Sequence, residues 1–339
     1  MAVLAGEARP ASAPQPRADS VPQTRAAAAT STARVGVPFL LVHAGVLAVF
    51  VVGWSWAALC GAVVLYVTRM LGITVFYHRG LAHRAFAMPR PVQLAGAILG
   101  AAAAQRGPLW WVATHRVHHR FTDRPGDPHS PVVDGFFESH VGWLFRRPTE
   151  PKGPVADLSR FPELRVVDRF HHVAPLLTAL AAFGAGAALS RIDPGLHTSG
   201  PQMLVWGFFV STTALYHATF SVNSVAHRFG RQRFDTGDSS RNNALVAALT
   251  LGEGWHNNHH RFPGSARQGL ARFELDPSWW CIRVLAALRL ASRPRTVRGA
   301  PFRSPRSTHP DGGRRAGPPD AEDPPRRASP SLRGSAPSS

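Results

Sequence analysis

Apolar residues in this chain are concentrated in a few long blocks, and this distribution restricts its possible folds more than any other feature. The first block covers residues 35–52, and a short uncharged turn separates it from a second at 57–67, whose helix we expect to continue to His78. A second pair lies at 173–189 and 203–222. Because about 20 apolar residues in a helix cross the hydrocarbon core of a bilayer, we predict an all-α integral membrane protein with four transmembrane helices in two hairpins.

Charged residues predict how the hairpins are oriented. The segment 190–202 is nearly charge-neutral, whereas 141–170 and 227–241 carry many arginines. Since cytoplasmic loops are enriched in Lys and Arg, both hairpins should point outward and both termini should be cytoplasmic, at the inner or plasma membrane if the protein is bacterial. A net charge of +18 beside apolar spans favours the anionic headgroups of the lipid bilayer as partner, and we expect no nucleic-acid binding.

The two ends of the chain differ in composition from its apolar part. Residues 1–34 are rich in Ala, Pro, Arg and Ser, and residues 292–339 are rich in Arg, Pro and Ser. Segments of this kind bury too few apolar side chains to fold. We therefore predict a disordered tail at each end, the second one basic, around a membrane domain at 35–291.

Histidines form four clusters in the polar segments next to the apolar blocks. The chain has 17 His but only 2 Cys, too few for a thiolate zinc site or an iron–sulfur cluster, so a bound metal would be held by histidine. The candidate ligands are His78 and His83; His115, His118 and His119; Asn223 and His227; and His256, His259 and His260.

Helix periodicity and membrane depth both favour a shared metal site. Positions i, i+3 and i+4 of an α-helix lie on one face, so each His-x-x-His-His motif should present three imidazoles together. His83, five residues after His78, would have to reach the site from a helix end or from a bend after Gly80. Because all four clusters fall on the predicted cytoplasmic side, we expect them to converge on a dinuclear site, with about four or five nitrogen ligands for each metal.

Five motifs identify a family that this chain resembles. They are GITVFYHRGLAHR at 72–84, WVATHRVHHRFTDRPGDPHSP at 111–131, GFFESHVGWLF at 135–145, NSVAHRFG at 223–230 and GEGWHNNHHRFP at 252–263. In order and spacing they resemble the membrane-bound fatty acyl desaturases, a family that includes the acyl-CoA Δ9 desaturases. The resemblance covers residues 35–280 and implies four membrane helices below a helical cytoplasmic cap.

The resemblance also implies a reaction and its cofactors. It implies O2-dependent insertion of a cis double bond, at Δ9, into a long-chain saturated acyl-CoA by a centre of two iron ions. An unactivated methylene has no acidic proton, so side-chain acid–base chemistry cannot open it and an oxidant formed from O2 at a metal is needed. In the family, histidines at the nine positions named above bind iron, and an Asn at the position of Asn223 contacts one metal through water. Asp127 and Glu253 are candidates to accept hydrogen bonds from ligand imidazoles, with a cap or turn as the alternative role.

Further matches to the family concern the acyl chain. Gln105 and Trp111 correspond to residues that line the bend of the acyl channel, and Arg146 and Arg147 correspond to a basic pair that contacts CoA phosphates. At 113–114 the chain has Ala-Thr, where animal-type enzymes carry Arg-Asp. The acyl carrier is therefore open: CoA is preferred, and a membrane lipid or acyl carrier protein is the alternative.

Two residues of the second apolar block are candidates to close the acyl channel. Tyr66 lies 12 residues before His78, about 18 Å along a helix and near the side that faces the channel. Ala62 lies one turn deeper, and in the family bulk at this depth limits chain length. Packing against another helix is the alternative role of Tyr66.

Alternative functions and an electron source complete the sequence-based expectations. A diiron fatty acyl hydroxylase shares the first hydrogen abstraction, and a His-rich membrane metal-binding protein is the non-enzymatic alternative. Because the chain has no flavin fingerprint, haem domain or cysteine cluster, electrons should come from a separate ferredoxin- or cytochrome-like donor with its reductase. The other histidines, among them His43, His140 and His217, are not expected to bind metal.

Overall fold

The computed structural model describes residues 25–146 and 155–297, with side chains from Gly36 onward. Regular structure in these segments is helical, and extended pairing there is limited to three isolated bridges. The predicted all-α class is confirmed for the described residues. Residues 1–24, 147–154 and 298–339 lie outside them, so the two disordered tails stay predictions.

Eight main helices position the site. In chain order they are α1 (Arg25–Val46), α2 (Trp56–Leu71), α3 (Arg90–Ala101), α4 (Pro108–Phe121), α5 (Val173–Ile192), α6 (Ser211–Ser224), α7 (His256–Arg261) and α8 (Pro277–Ala287). α2 continues as a π-helix over Gly72–Ala82, and α6 follows Gly200–Leu204 and a π-helix over Val205–Val210. Shorter helices cover Val49–Val52, Phe136–His140, Gly142–Leu144, Ala156–Ser159, Pro162–Arg169, Pro194–Leu196 and Ala244–Leu249.

Within residues 25–146 and 155–297, two helices are long and apolar enough to cross a bilayer. They are Trp56–Ala82, which joins α2 to its π-helix, and α5. The apolar stretch Gly36–Val52 is shorter, and π geometry interrupts the helix that ends with α6. The expected membrane protein is consistent with this result, whereas the four-helix topology and the cytoplasmic termini stay predictions.

The first and last boundaries of the domain differ from those predicted. α1 begins at Arg25, before the predicted start at 35. At the other end Ser292 pairs with Ala87 through two backbone hydrogen bonds of 2.9 and 2.8 Å, and the Arg295 amide donates to the Ala85 carbonyl at 2.8 Å. These bonds place residues just after 291 in the folded domain, because a short extended segment can satisfy the polar backbone of another.

Glycines of α3 allow the π-helix to pack unusually close. A Cβ at Gly96 would lie 2.0 Å from the Phe76 ring, and one at Gly100 would lie 2.2 Å from the Tyr77 ring. Any larger residue at these positions would displace aromatic side chains of the π-helix. This contact fixes the segment that carries His78.

A carboxylate fixes the start of α4, the helix with the second histidine motif. Asp168 Oδ1 accepts hydrogen bonds from the backbone amides of Leu109 and Trp110 at 2.8 and 3.0 Å. Such a carboxylate satisfies amides that have no partner within the helix. It also ties the segment before α5 to the beginning of α4.

Candidate metal centre and adjoining cavity

The structure brings the nine predicted histidines together in two adjacent groups. Within each group, one ring nitrogen per residue lies within 4.8 Å of the others. The first group is His78, His83, His115, His119 and His259, and the second is His118, His227, His256 and His260. Five and four imidazoles match the number of nitrogen ligands expected for each of two metals.

The imidazoles of each group turn their Nε2 atoms toward one another. In the first group the Nε2 atoms of His78 and His259 are 3.2 Å apart, and those of His83 and His115 are 2.7 Å apart. In the second group the Nε2 atom of His256 lies 3.0 Å from that of His227. Convergent Nε2 atoms are the arrangement that a metal ion requires.

Both His-x-x-His-His motifs supply both groups. α4 gives His115 and His119 to the first group and His118 to the second, and α7 gives His259 to the first and both His256 and His260 to the second. Neighbouring residues of an α-helix point about 100° apart, so the two consecutive histidines of each motif face different groups. The three rings of each motif lie close together, with centroids 4.6–6.2 Å apart in α4 and 4.4–5.7 Å apart in α7, but each motif divides its rings between the two adjacent groups.

π-helical geometry carries His83 to the first group. The His83 amide donates to the His78 carbonyl at 3.1 Å, which is the i to i−5 bond of a π-helix. The two ring centroids are 4.8 Å apart. His83 does lie at a helix end, but the wider helix, rather than a bend after Gly80, brings it beside His78.

Both carboxylates predicted to contact ligand imidazoles do so. Glu253 Oε2 lies 2.6 Å from His78 Nδ1, and Asp127 Oδ1 lies 3.0 Å from His118 Nδ1. A carboxylate on Nδ1 orients the ring and leaves Nε2 to coordinate a metal. The alternative role, a cap or turn, also applies to Asp127, which accepts the His129 amide at 3.1 Å.

Two further carboxylates in the same role were missed by sequence reasoning. His227 Nδ1 lies 3.2 Å from Asp123 Oδ2, and His260 Nδ1 lies 2.9 Å from Asp238 Oδ2. Asp123 could have been found, because it lies four residues before Asp127 in the same motif. Asp238 lies in a Thr-Gly-Asp-Ser-Ser loop that carries no spacing signal.

Burial and charge favour the protonation states that metal binding needs. Burial tends to raise the pKa of Glu253, but His78 and Arg79 beside it bring that pKa down to about 2. Burial lowers the pKa of His115 and of His119 well below 6.5, and neighbouring imidazoles lower both further. The carboxylate is therefore charged and the rings are neutral, with a free lone pair for a metal.

Arg79 is buried and connects Glu253 to the start of α8. Its Nε donates to Glu253 Oε1 at 3.1 Å, and its Nη1 donates to Asp276 Oδ1 and to the Ala266 carbonyl, both at 2.8 Å. A buried cation is tolerated when carboxylates pair with it. Neither Arg79 nor Asp276 was among the residues predicted from the sequence.

A cavity of about 610 Å³ begins beside the histidine groups. His115, His129 and Asn223 line it there. Phe220, Tyr216 and Phe208 line it at increasing distance from Asn223 along the helix that ends with α6, and Val42 of α1 also belongs to its wall. Its aromatic and aliphatic lining suits an apolar ligand.

Both residues predicted at the bend of the channel line this cavity. Gln105 Nε2 donates to Thr219 Oγ1 at 2.7 Å, and Trp111 Nε1 donates to Gln105 Oε1 at 3.3 Å. Ala104 and Arg106, on either side of Gln105, have positive φ angles of 60° and 71°. Such angles are uncommon outside glycine, so the surrounding contacts hold Gln105 in a strained turn.

The residues predicted to close the channel lie outside the lining of this cavity. The Tyr66 hydroxyl donates to the Leu249 carbonyl at 2.6 Å, and Ala62 is buried in the protein. Neither residue is part of the cavity wall. The cavity follows α6 and α1 rather than α2, and the role of Tyr66 and Ala62 in closing the acyl channel stays a prediction.

The basic pair predicted for CoA phosphates is only partly described. Arg147 lies outside the described residues. Arg146 forms ion pairs with Asp134 at 2.6 Å and with Glu138 at 2.8 Å. Its charge is therefore already offset within the protein.

A second, polar pocket of about 430 Å³ reaches the histidines from the surface. His83, His119 and His260 line it, together with arginines that include Arg120 and Arg124. Both of these arginines are exposed. Ligand histidines thus lie at the base of a basic surface depression.

Three other histidines form a hydrogen-bonded chain between α1 and α6. Nε2 of His217 is 3.1 Å from Nε2 of His43, and Nδ1 of His217 is 3.1 Å from Nε2 of His140. His43 Nδ1 donates to the Phe39 carbonyl, 2.8 Å away, because a carbonyl can only accept. When all three rings are neutral, His43 Nε2 therefore accepts from His217 Nε2, and His217 Nδ1 accepts from His140 Nε2. The three rings are therefore linked to one another, and none of them belongs to the two histidine groups.

Comparisons with known proteins give consistent results. A family model described as fatty acid desaturase matches residues 54–283. A chloroplastic palmitoyl-monogalactosyldiacylglycerol delta-7 desaturase of Arabidopsis thaliana is 42% identical over 246 residues, which is 70% of this chain and 62% of that protein. An sn-1 stearoyl-lipid 9-desaturase of Anabaena variabilis is 39% identical over 257 residues, which is 75% of this chain and 90% of that protein. The acyl-CoA 5-desaturase AL21 of Anemone leveillei is 41% identical over 247 residues, which is 70% of this chain and 72% of that protein.

Proposed function

Since the chain belongs to the fatty acid desaturase family, we propose that it is an O2-dependent desaturase that uses two iron ions to insert a cis double bond into a long saturated acyl chain. The observation that carries this proposal is an apolar cavity that ends at two adjacent histidine groups. An acyl chain in this cavity would bring methylene groups to the place where metals would bind.

Iron fits the donor set of the two histidine groups. Neutral imidazoles are good ligands for iron, and both cysteines, Cys60 and Cys281, lie outside these groups. The first group would hold one ion and the second group the other, with Asn223 contacting one of them through water. When bound, the two irons would supply the O2-dependent oxidation of an unactivated C–H bond that no side chain can perform alone.

Residues of the chain itself orient the ligands and the substrate. Carboxylates on Nδ1 hold the rings of four histidines in place, which a reactive site needs if it is to stay rigid. The bonds from Gln105 to Thr219 and from Trp111 to Gln105 fix polar atoms in the middle of the wall. The aromatic wall beyond them excludes water from the acyl chain.

The Δ9 position is supported by one relative above the others. The Anabaena protein is named a stearoyl-lipid 9-desaturase, and this chain matches 90% of its length. The Arabidopsis and Anemone relatives are named for positions 7 and 5. Double-bond position is therefore the product property to measure first.

A separate electron donor would dock at the basic depression above the histidines. Reducing equivalents for the two metals would be delivered there by a separate protein. Arg120 and Arg124 at the rim suit an acidic ferredoxin- or cytochrome-like partner with its reductase, since complementary charge accelerates encounter.

Lipid analysis of a host that lacks monounsaturated fatty acids would test the proposal. Expression of the full chain should produce monoenes, whose double bond is located by mass spectrometry. Hydroxy acids in their place would indicate the hydroxylase. The absence of any new product would favour the non-enzymatic metal-binding protein.

Variants of single candidate ligands test the metal assignment, and a variant of another histidine is the matched control. His118→Ala and His259→Ala should remove the monoenes and lower the iron content from about two ions per chain, with membrane insertion unchanged. His197→Ala changes an exposed histidine in the loop after α5 and should behave as the wild type. Full activity in either ligand variant would contradict the metal assignment.

A further inference from the structure

The cavity reaches the protein surface between α1 and the start of α5. Pro38 of α1 and Pro175 of α5 line it, as does His172 just before α5. Pro38 and His172 are exposed. A residue that is both exposed and part of a cavity wall marks an opening, so the cavity has a mouth bounded by these two helices.

The surface on both sides of this mouth is apolar. Leu40 and Leu41 of α1 are 57% and 63% exposed, and Leu176 and Leu177 of α5 are each 58% exposed. α5 is one of the two helices able to span a bilayer, and only 11% of its apolar window is buried in the protein. So many exposed leucines beside one opening are expected where a protein faces lipid rather than water.

Polar and amphipathic residues lie at one edge of the mouth. Arg106 and Trp110 line it, with the guanidinium 4.5 Å from the centre of the Trp110 ring, and His171 lines it beside His172. Arg and Trp are typical of the boundary between hydrocarbon and headgroups. The opening therefore lies at the level of the headgroups, with its leucine-flanked side toward the acyl chains.

The predicted contact with CoA phosphates is weakened by the same geometry. Arg146 is held by two carboxylates, Asp134 and Glu138. A phosphate that bound Arg146 would have to compete with both and would meet their negative charge. A substrate whose carrier stays in the bilayer does not need this cation.

We propose that the opening between Pro38 and Pro175 is a lateral portal through which the acyl chain of a bilayer glycerolipid enters the cavity from the membrane. The inference rests on the proposed desaturase function and names its substrate class. The glycerol and headgroup stay at the membrane surface beside Arg106 and His171, while the chain passes between α1 and α5 toward the histidine groups.

Photocrosslinking of the purified full chain tests the portal without requiring turnover. The protein is placed in phosphatidylcholine vesicles in which the stearoyl chain of a tracer lipid carries a diazirine, and labelled peptides are mapped by mass spectrometry. A stearoyl-CoA bearing the same diazirine is the competing probe. We expect the lipid probe to label peptides that line the cavity.

Bulky substitutions at the mouth should block this labelling. Pro175→Trp and His172→Trp are expected to reduce lipid labelling of the cavity by at least about tenfold, equivalent to about 1.4 kcal/mol. Leu180→Trp, on the exposed face of α5 but outside the cavity wall, is the matched control and should label as the wild type. Gel filtration checks that each variant is folded.

The outcomes separate the portal from the enzyme function. Cavity labelling by the CoA probe alone, or undiminished lipid labelling in folded Pro175→Trp and His172→Trp, would overturn the portal. If the lipid probe labels the cavity but the iron-loaded protein makes no monoene, the desaturase proposal fails and the portal stands. Monoenes formed only from stearoyl-CoA would support the desaturase proposal but refute the portal.

Discussion

Replacing Phe208 by alanine should lengthen the acyl chain that the protein prefers. Phe208 lines the cavity 15 residues before Asn223, about 22 Å away along the helix. If a bilayer lipid supplies the chain, its methylenes already lie in hydrocarbon, so burial by itself favours longer chains very little. What limits length is steric overlap with the cavity wall, to which Phe208 belongs, and forcing extra methylenes into a filled core costs about 1–3 kcal/mol.

Relief of this overlap sets the expected magnitude. Phe208→Ala should raise the kcat/KM ratio for a chain longer by two carbons over the preferred one by about 5- to 150-fold, the equivalent of about 1–3 kcal/mol. Val42→Phe, which adds bulk to the cavity wall from α1, should shift the ratio toward shorter chains. A Phe→Ala change in a core lowers the free energy of unfolding by about 3–5 kcal/mol. Loss of stability alone, however, cannot shift the chain-length ratio in opposite directions in the two variants.

A competition assay measures these shifts directly. Vesicles with equal amounts of saturated lipids of several chain lengths are incubated with the protein, and the monoenes are quantified by mass spectrometry. The ratio of products within one reaction is independent of how much protein is folded or loaded with iron. Tyr66→Ala is the comparison, because Tyr66 is outside the cavity wall and its loss should leave the ratio unchanged. A shift with Tyr66→Ala but with neither Phe208→Ala nor Val42→Phe would show that the chain follows α2.

Three other perturbations address the metal centre, the donor and the tail. Asp238→Asn should lower activity and iron content, by about 10- to 100-fold in metal affinity, as measured by metal titration; wild-type affinity would contradict its role in orienting His260. Arg120→Glu with Arg124→Glu should raise the KM for an acidic ferredoxin and flatten its dependence on salt, whereas Arg272→Glu, an exposed arginine outside the depression, should not. Deleting residues 300–339 should leave desaturation per folded molecule intact, since this composition cannot bury a core; a large loss would show that the tail acts on the domain or its donor.

The convergence of the nine histidines could be predicted because it depends on local spacing. Both His-x-x-His-His motifs form helices, and their rings converge with His78, His83 and His227. The π-helix was not predictable in this way, because nothing in the spacing of His78 and His83 distinguishes i to i−5 bonding from a bend. The close packing against Gly96 and Gly100 that accompanies it is a tertiary contact.

Predictions that depended on depth in the membrane stay predictions. Tyr66 was placed near the channel by counting residues along a single helix, but which helices bound a cavity is set by packing among all of them. Arg146 illustrates the same limit for charge. Its two carboxylate partners, Asp134 and Glu138, are close in sequence, yet a basic pair after an aromatic motif gives no indication that one member is already paired.

The four carboxylates behind the histidines explain how a site with only neutral ligands could hold two cations. Two divalent ions would bring four positive charges, and Glu253, Asp127, Asp123 and Asp238 bring four negative ones, each one imidazole away. Arg79, the buried cation beside Glu253, has Asp276 as its second partner. Charges buried together are tolerated when they balance. Because the balancing carboxylates contact Nδ1 atoms, the Nε2 atoms of the same imidazoles would remain free to hold the metals without an uncompensated charge in the interior.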